Sequence, residues 1–265
     1  QGLYPPGSTF KILTAMEYMR ENPSFDKYRY ECSGSDTFGG NVIRCYNGEH
    51  HGTVDLKSSL AHSCNGSFAH IGVGLNRKSY RKLCEAFGFN SSLGVKFVSS
   101  RSRFVLDEKS DTAEAAQTAI GQGKTTITPL QNALISATIA NDGVMMTPYL
   151  VDHTESVDGH VVKKYEPQEK RTVISRKRAN QVTRMMRSVV SDGTAAALRN
   201  LSYPVAGKTG TAEIDSEGTS HAWFVGFAPA ADPKIAVSVI VEGAGTGSQY
   251  AVPIAAKMLE EYLGN

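Results

Sequence analysis

"YPVAGKTGTAEI" (residues 203–214), "HAWFVGFAP" (221–229) and "KIAVSVIVE" (234–242) are three β-rich runs in the last quarter of a 265-residue chain. Their valines, isoleucines and aromatics suit a pleated, half-buried surface. "AADP" (230–233) joins the second run to the third, which predicts an antiparallel hairpin. Helical periodicity surrounds them. In "STFKILTAMEYMR" (8–20), Ile12, Leu13, Ala15, Met16 and Met19 have the spacing of one buried face, and Pro5, Pro6, Gly7 and Pro23 punctuate its ends. Helices are also expected over about 56–75, broken at "SCNG" by Asn65-Gly66, and over 113–120, 129–140 and 178–190. In the last of these, Val182, Met185, Met186 and Val189 face the core. "QYAVPIAAKMLEEYL" (249–263) closes the chain with another helix. Helices in the middle and antiparallel strands late make an α+β domain, one sheet covered by helices.

Apolar residues make up 40% of the chain and charged residues 20%, with a net charge of +2. That balance suits a globular domain with a sizeable core and gives no reason to expect nucleic acid as a partner. No apolar run approaches the roughly 18–20 residues of a membrane span, and no signal peptide is visible. The chain opens at Gln1 as the interior of a longer protein would.

"IGQGKTT" (120–126) invites a phosphate-loop reading, but the first glycine that loop requires falls on Thr118, and the preceding "DTAEAAQTA" is helical in character. The cysteines Cys32, Cys45, Cys64 and Cys84 contain no C-x-x-C and no histidine at a zinc-site offset. The spacing therefore predicts no metal, and His50 and His51 in "NGEHHG" read as a polar loop. Cys32 and Cys45 bracket a hairpin turned at Gly39-Gly40 and face each other as a disulfide or as two reduced thiols.

Three short motifs carry chemistry. In "PPGSTFK", Ser8 and Lys11 lie three apart at a helix start, so a lysine kept neutral by burial has access to a serine proton. Ser24–Lys27 and Ser79–Lys82 repeat the spacing, so it is weak alone. "SCN" puts the Ser63 hydroxyl and the Asn65 amide two apart in a helix break, where both residue types also serve as caps. "GKTGT" puts Lys208, Thr209, Gly210 and Thr211 in a strand suited to receive an extended peptide, or to stand as a plain edge.

The ordered set Ser-x-x-Lys, Ser-x-Asn, Lys-Thr-Gly is the signature of the penicillin-binding proteins and class A β-lactamases. The chain resembles most the transpeptidase domain of a class B penicillin-binding protein. "TAIGQG", "TPLQNALISATIANDG", "KTGTAE", "HAWFVGFAP" and "AVPIAAKMLEEYL" extend the likeness over most of its length. The resemblance implies an antiparallel sheet with helices on both faces and an all-helical subdomain. In the family that sheet includes strands from before the Ser-x-x-Lys helix, whereas only seven residues precede Ser8 here. It further implies Ser8 as nucleophile, Lys11 as its base, and Ser63 and Lys208 as a proton relay to the leaving group. Asn65 binds the acyl-side amide. Thr209 and Thr211 around Gly210 hold a terminal carboxylate. The implied partners are peptidoglycan stem peptides, β-lactams, a glycosyltransferase, and the membrane through an anchor outside this chain, at the extracytoplasmic face. No cofactor is implied. A class A β-lactamase is disfavoured because no Glu-x-x-Leu-Asn string lies between Asn65 and Lys208, and a class D enzyme because it carries an aliphatic residue where Asn65 stands. A D,D-carboxypeptidase and a β-lactam sensor share the motifs and stay open.

Overall fold

The computed structural model describes residues 2–214 and 219–264. A 3₁₀ turn over Gly7–Phe10 leads into α1 (Lys11–Glu21). Four short strands follow: β1 (Tyr30–Cys32), β2 (Ser35–Phe38), β3 (Asn41–Arg44) and β4 (Gly52–Val54). The helical region comprises α2 (Leu56–Ala61), α3 (Asn65–Gly74), α4 (Arg77–Ala86), α5 (Thr112–Ala119) and α6 (Pro129–Ala140). After β5 (Val144–Met146), β6 (His153–Glu155), β7 (Val161–Lys164) and β8 (Glu169–Thr172) comes α7 (Arg176–Ser191). The three β-rich runs become β9 (Ala206–Glu213), β10 (Ser220–Ala228) and β11 (Ile235–Val241), and α8 (Val252–Leu263) ends the fold.

The main sheet, in the order β11-β10-β9, is antiparallel throughout. Helices α6 and α8 pack on β10 and β11, and α7 packs on β9. Strand β9 is therefore an edge, and alternate backbone groups on its free side have no strand partner. The segment before α1 is fixed to this sheet. Trp223 Nε1 donates to Pro5 O at 3.1 Å, and Tyr4 pairs with Ile127 in an isolated antiparallel bridge. Helix α1 runs through the main core, where Phe10, Tyr80, Phe89 and Phe104 form a buried aromatic group. Buried Thr14 ties α1 to α4 and α5, with its Oγ1 2.6 Å from the Tyr80 hydroxyl and donating to Ala119 O at 2.7 Å.

The predicted helices over 113–120, 129–140 and 178–190 form within a residue or two of their expected bounds, and all four core residues expected in α7 are buried. The β2–β3 hairpin turns at Gly39-Gly40, both at positive φ. One boundary differs. The break between α2 and α3 lies at His62–Cys64, not at Asn65-Gly66. Cys64 caps α3, its Sγ accepting from the Ser67 N–H, and Asn65 is the first helical residue. The reversal falls on Ser63, held at φ +58°. Asn-Gly misleads here because a glycine within a helix costs only about 1 kcal/mol, less than the tertiary contacts of α3 return.

Gly-Gln-Gly lies at the cleft wall and fastens the turn that holds Ser8. Gly121, at φ +81°, accepts the Gly7 N–H at 2.9 Å, and a Cβ there would stand 1.9 Å from Gly7 O. Lys124 is exposed and faces Glu114 at 3.6 Å. Gly121→Ala is expected to lower the unfolding free energy by roughly 3 kcal/mol, combining a left-handed Cβ with the clash. Gly40→Ala, equally left-handed but with open space around the added carbon, should cost about 1 kcal/mol. Urea denaturation of both variants checks the difference.

Candidate active site

Ser8, Ser63, Asn65, Thr209, Gly210 and Thr211 all line one cleft of about 760 Å³, together with Thr194, Gln122 and Gly247. The 3₁₀ turn brings Ser8 to the cleft wall and carries Lys11 inward at the first position of α1. Gly210 permits the close approach: a Cβ there would lie 3.0 Å from Thr9 Cγ2 and 3.3 Å from Pro6 O. Strand β9 consequently packs directly against the turn that holds Ser8.

Two fully buried lysines meet at one hydroxyl. Lys11 Nζ donates to Ser63 O at 2.7 Å, to Ser63 Oγ at 3.2 Å and to Asn65 Oδ1 at 2.5 Å. Lys208 Nζ donates to Ser63 Oγ at 2.9 Å and to Thr209 O at 2.9 Å. The left-handed backbone at Ser63 makes this possible, because it presents both the carbonyl and the hydroxyl to the lysines. No carboxylate pairs with either lysine among the described residues. Burial lowers Lys11 to about 8, against a smaller opposing pull from Cys64 and Cys45. Burial, and then repulsion from Lys11, hold Lys208 well below the ordinary lysine range. Lys11 is thus partly neutral near physiological pH, and it shares with Lys208 a hydroxyl through which a proton can pass.

The remaining expected residues occupy places that the motifs alone do not reveal. Asn65 is already engaged on both sides of its amide, since Nδ2 donates to Arg44 O at 2.7 Å while Oδ1 receives Lys11. The Thr209 hydroxyl lies 2.5 Å from that of Thr194. Thr194 escaped the sequence reading; its signal is Gly193 just beyond the end of α7, where a Cβ would meet Ala61 O at 2.1 Å. Ser24 and Lys27, a repeat of the Ser-x-x-Lys spacing, are both exposed, and in Ser79–Lys82 the lysine is exposed. Beside the cleft, Cys32, Cys45, Cys64 and His51 gather with their donor atoms within 4.8 Å of one another. All three of these cysteines carry free thiols. Linear spacing concealed this cluster, because the four residues come from β1, the end of β3, the loop before β4 and the α2–α3 break.

A profile of the "Penicillin binding protein transpeptidase domain" matches residues 1–260. The chain is 33% identical to the peptidoglycan D,D-transpeptidase PbpA of Mycolicibacterium smegmatis, over 95% of its own length and 53% of that protein. It is 33% identical to stage V sporulation protein D of Bacillus subtilis, over 98% of its length and 42% of that protein. The chain thus spans about half the length of the curated relatives it matches. Among solved structures, the D,D-transpeptidase domain of a peptidoglycan glycosyltransferase from Eggerthella lenta superimposes with a TM-score of 0.92 at 29% identity, covering 99% of this chain and 66% of that one. Penicillin-binding protein A of M. tuberculosis, as its penicillin G acyl-enzyme, gives 0.90 at 30% identity, covering 99% and 61%.

Lysine titration tests the electrostatics independently of any reaction. In NMR of ¹³C-labelled lysines, the resonance lost in Lys11→Met should titrate with a midpoint of about 8. A midpoint above about 10, the value of a solvated lysine, would remove the neutral-amine argument.

Proposed function

Taking as premise that the chain belongs to the penicillin-binding protein transpeptidase family, we propose that it carries the serine D,D-transpeptidase domain of a peptidoglycan cross-linking enzyme. The observation that carries this reading is the single hydroxyl, Ser63 Oγ, bonded by both Lys11 and Lys208 in the cleft that Ser8 lines.

In this reading the Ser8 Oγ attacks the carbonyl of the penultimate D-alanine of a stem peptide, and its proton passes to neutral Lys11. The oxyanion sits between the backbone N–H groups of Ser8 and Thr211, where each donor is worth about 3–4 kcal/mol in the transition state. As the amide C–N bond breaks, Ser63 gives its proton to the departing D-alanine amine and recovers one from Lys208. The amine of a second stem peptide then attacks the ester and gives a proton back to Lys208 through Ser63, while Lys11 returns one to the Ser8 oxygen as the ester C–O bond breaks and the cross-link forms. Thr209 and Thr211 hold the terminal carboxylate, and Thr194 orients the Thr209 hydroxyl toward it. The free edge of β9 receives the extended donor peptide. Asn65 must trade an existing bond for the substrate amide; its link to the Arg44 carbonyl is the exchangeable one, since the link to Lys11 holds the base. β-Lactams acylate Ser8 as mimics of the D-Ala-D-Ala end. No helix among the described residues is long and apolar enough to cross a membrane; attachment at the extracytoplasmic face and a glycosyltransferase partner are part of this proposal.

Benzylpenicillin is expected to add one drug mass to the wild-type chain and none to Ser8→Ala, read by intact-protein mass spectrometry. A gain that survives the substitution removes Ser8 as nucleophile. Since Lys11 acts only when neutral and Lys208 only when protonated, the wild-type acylation rate should climb as the pH rises toward about 8 and fall again where Lys208 loses its proton. With stem-peptide donor and amine acceptor, cross-linked product supports the transpeptidase; hydrolysis alone would make the domain a carboxypeptidase.

A further inference from the structure

Behind the α2–α3 break lies a small packing cluster separate from the main core, made of Cys32, Cys45, Cys64 and Val54 with Tyr30 against it. Three cysteines cannot all be joined in disulfides with one another, and none of these is so joined. Their geometry has another explanation. Cys32 Sγ and Cys45 Sγ are 3.6 Å apart, Cys45 Sγ and Cys64 Sγ 3.8 Å, and Cys32 Sγ and His51 Nδ1 3.4 Å. A zinc ion held by sulfur at about 2.3 Å and nitrogen at about 2.0–2.1 Å, with tetrahedral angles, requires edges of roughly 3.8 Å between sulfurs and 3.5 Å between sulfur and nitrogen. A disulfide would need about 2.05 Å. Three edges match those of an S₃N tetrahedron, and all four donor atoms lie within 4.8 Å of one another.

Two further observations point the same way. His51 Nε2 is buried without a hydrogen-bond partner, and 3.6 Å from it stands Glu49 Oε2. Zinc-bound histidines commonly present their second nitrogen to a carboxylate in this manner, which fixes the ring and raises its basicity. The Ser67 N–H at the start of α3 donates to Cys64 Sγ at 3.5 Å and fixes that sulfur at the helix start.

We propose that Cys32, Cys45, Cys64 and His51 form a structural zinc site, closed by four protein ligands, with Glu49 supporting the histidine. The site staples β1, β3 and the loop before β4 to the α2–α3 break. Each thiol gives up its proton on binding, and three thiolates around Zn²⁺ leave a net charge of about −1 beside two buried lysines. Cys64 lies between Ser63 and Asn65, so the ion holds the loop that bridges Lys11 and Lys208. This consequence, though not the site itself, rests on the function proposed above.

Elemental analysis of the chain purified under reducing conditions and reconstituted with equimolar Zn²⁺ should give one zinc per chain. Cys32→Ser and Cys45→Ser should retain less than about a tenth of that. His51→Cys, which preserves four ligands, should keep one zinc, as should Cys84→Ala, which lies outside the cluster. Should the serine variants fail to fold, Glu49→Gln decides the matter: its carboxylate is exposed, and its loss should weaken zinc in chelator competition by 10–100-fold. The Co²⁺-substituted chain should show tetrahedral thiolate bands in its visible spectrum. Folded wild-type protein with four titratable thiols and no zinc, a cystine within the cluster under these conditions, or zinc indifferent to these substitutions would each overturn the site. Chelation should also slow benzylpenicillin acylation; zinc content is read separately, so an inactive domain leaves the metal result standing.

Discussion

Two ammonium groups buried against one serine hydroxyl, with no carboxylate paired to either, form the constraint from which the rest of the structure follows. Burying a charge without an opposite partner costs several kcal/mol, and a protein commonly avoids that cost by neutralising the group. For Lys11, the displacement to about 8 corresponds to roughly 3 kcal/mol against the charged form. The stability forgone is the source of the chemistry, because an amine that has lost its solvation is a base near neutral pH. Lys208 is subject to the same burial and, after it, to repulsion from Lys11 across Ser63.

The fold is arranged to hold that pair. Lys11 comes from the first turn of a core helix, Ser63 from a left-handed reversal between two helices, and Lys208 from an edge strand that meets the turn bearing Ser8. None of these positions tolerates much drift. Gly121 pins the turn from one side, and Gly210 lets β9 pack on it from the other. The cysteine and histidine cluster lies directly behind the second element, the reversal at Ser63, where Cys64 caps α3. Strain at Ser63 is therefore supported by an element with its own fixed geometry, which is where backbone strain persists in functional sites.

Much of this was legible in the sequence, because local patterns state it. The periodicity of 8–20 and 178–190 and the β-rich runs after 203 each follow from which side chains face the core. The three motifs named the cleft residues because each fixes a local geometry: a helix start, a helix break and a strand edge. What the sequence concealed depends on long-range placement. Thr194 joins the cleft only because α7 ends against α2, and Asn65 turns out to be bonded on both sides of its amide. The Asn65-Gly66 pair suggested a break two residues late, since tertiary packing outweighed glycine's helix cost. The metal-ligand pattern was invisible for the same reason. Its four residues lie 6 to 13 positions apart along the chain, and only the short strands and the α2–α3 break fold them together.

If Lys11, Ser63 and Lys208 act as one proton-transfer unit, their contributions to catalysis cannot be independent. A double-mutant cycle on the second-order rate of Ser8 acylation, using Ser63→Ala, Lys208→Ala and the combined variant, measures this most directly. The account predicts strong non-additivity, with the double variant losing scarcely more than the worse single one. Losses that multiply would contradict it, showing that the two side chains work separately and that their shared hydroxyl is incidental.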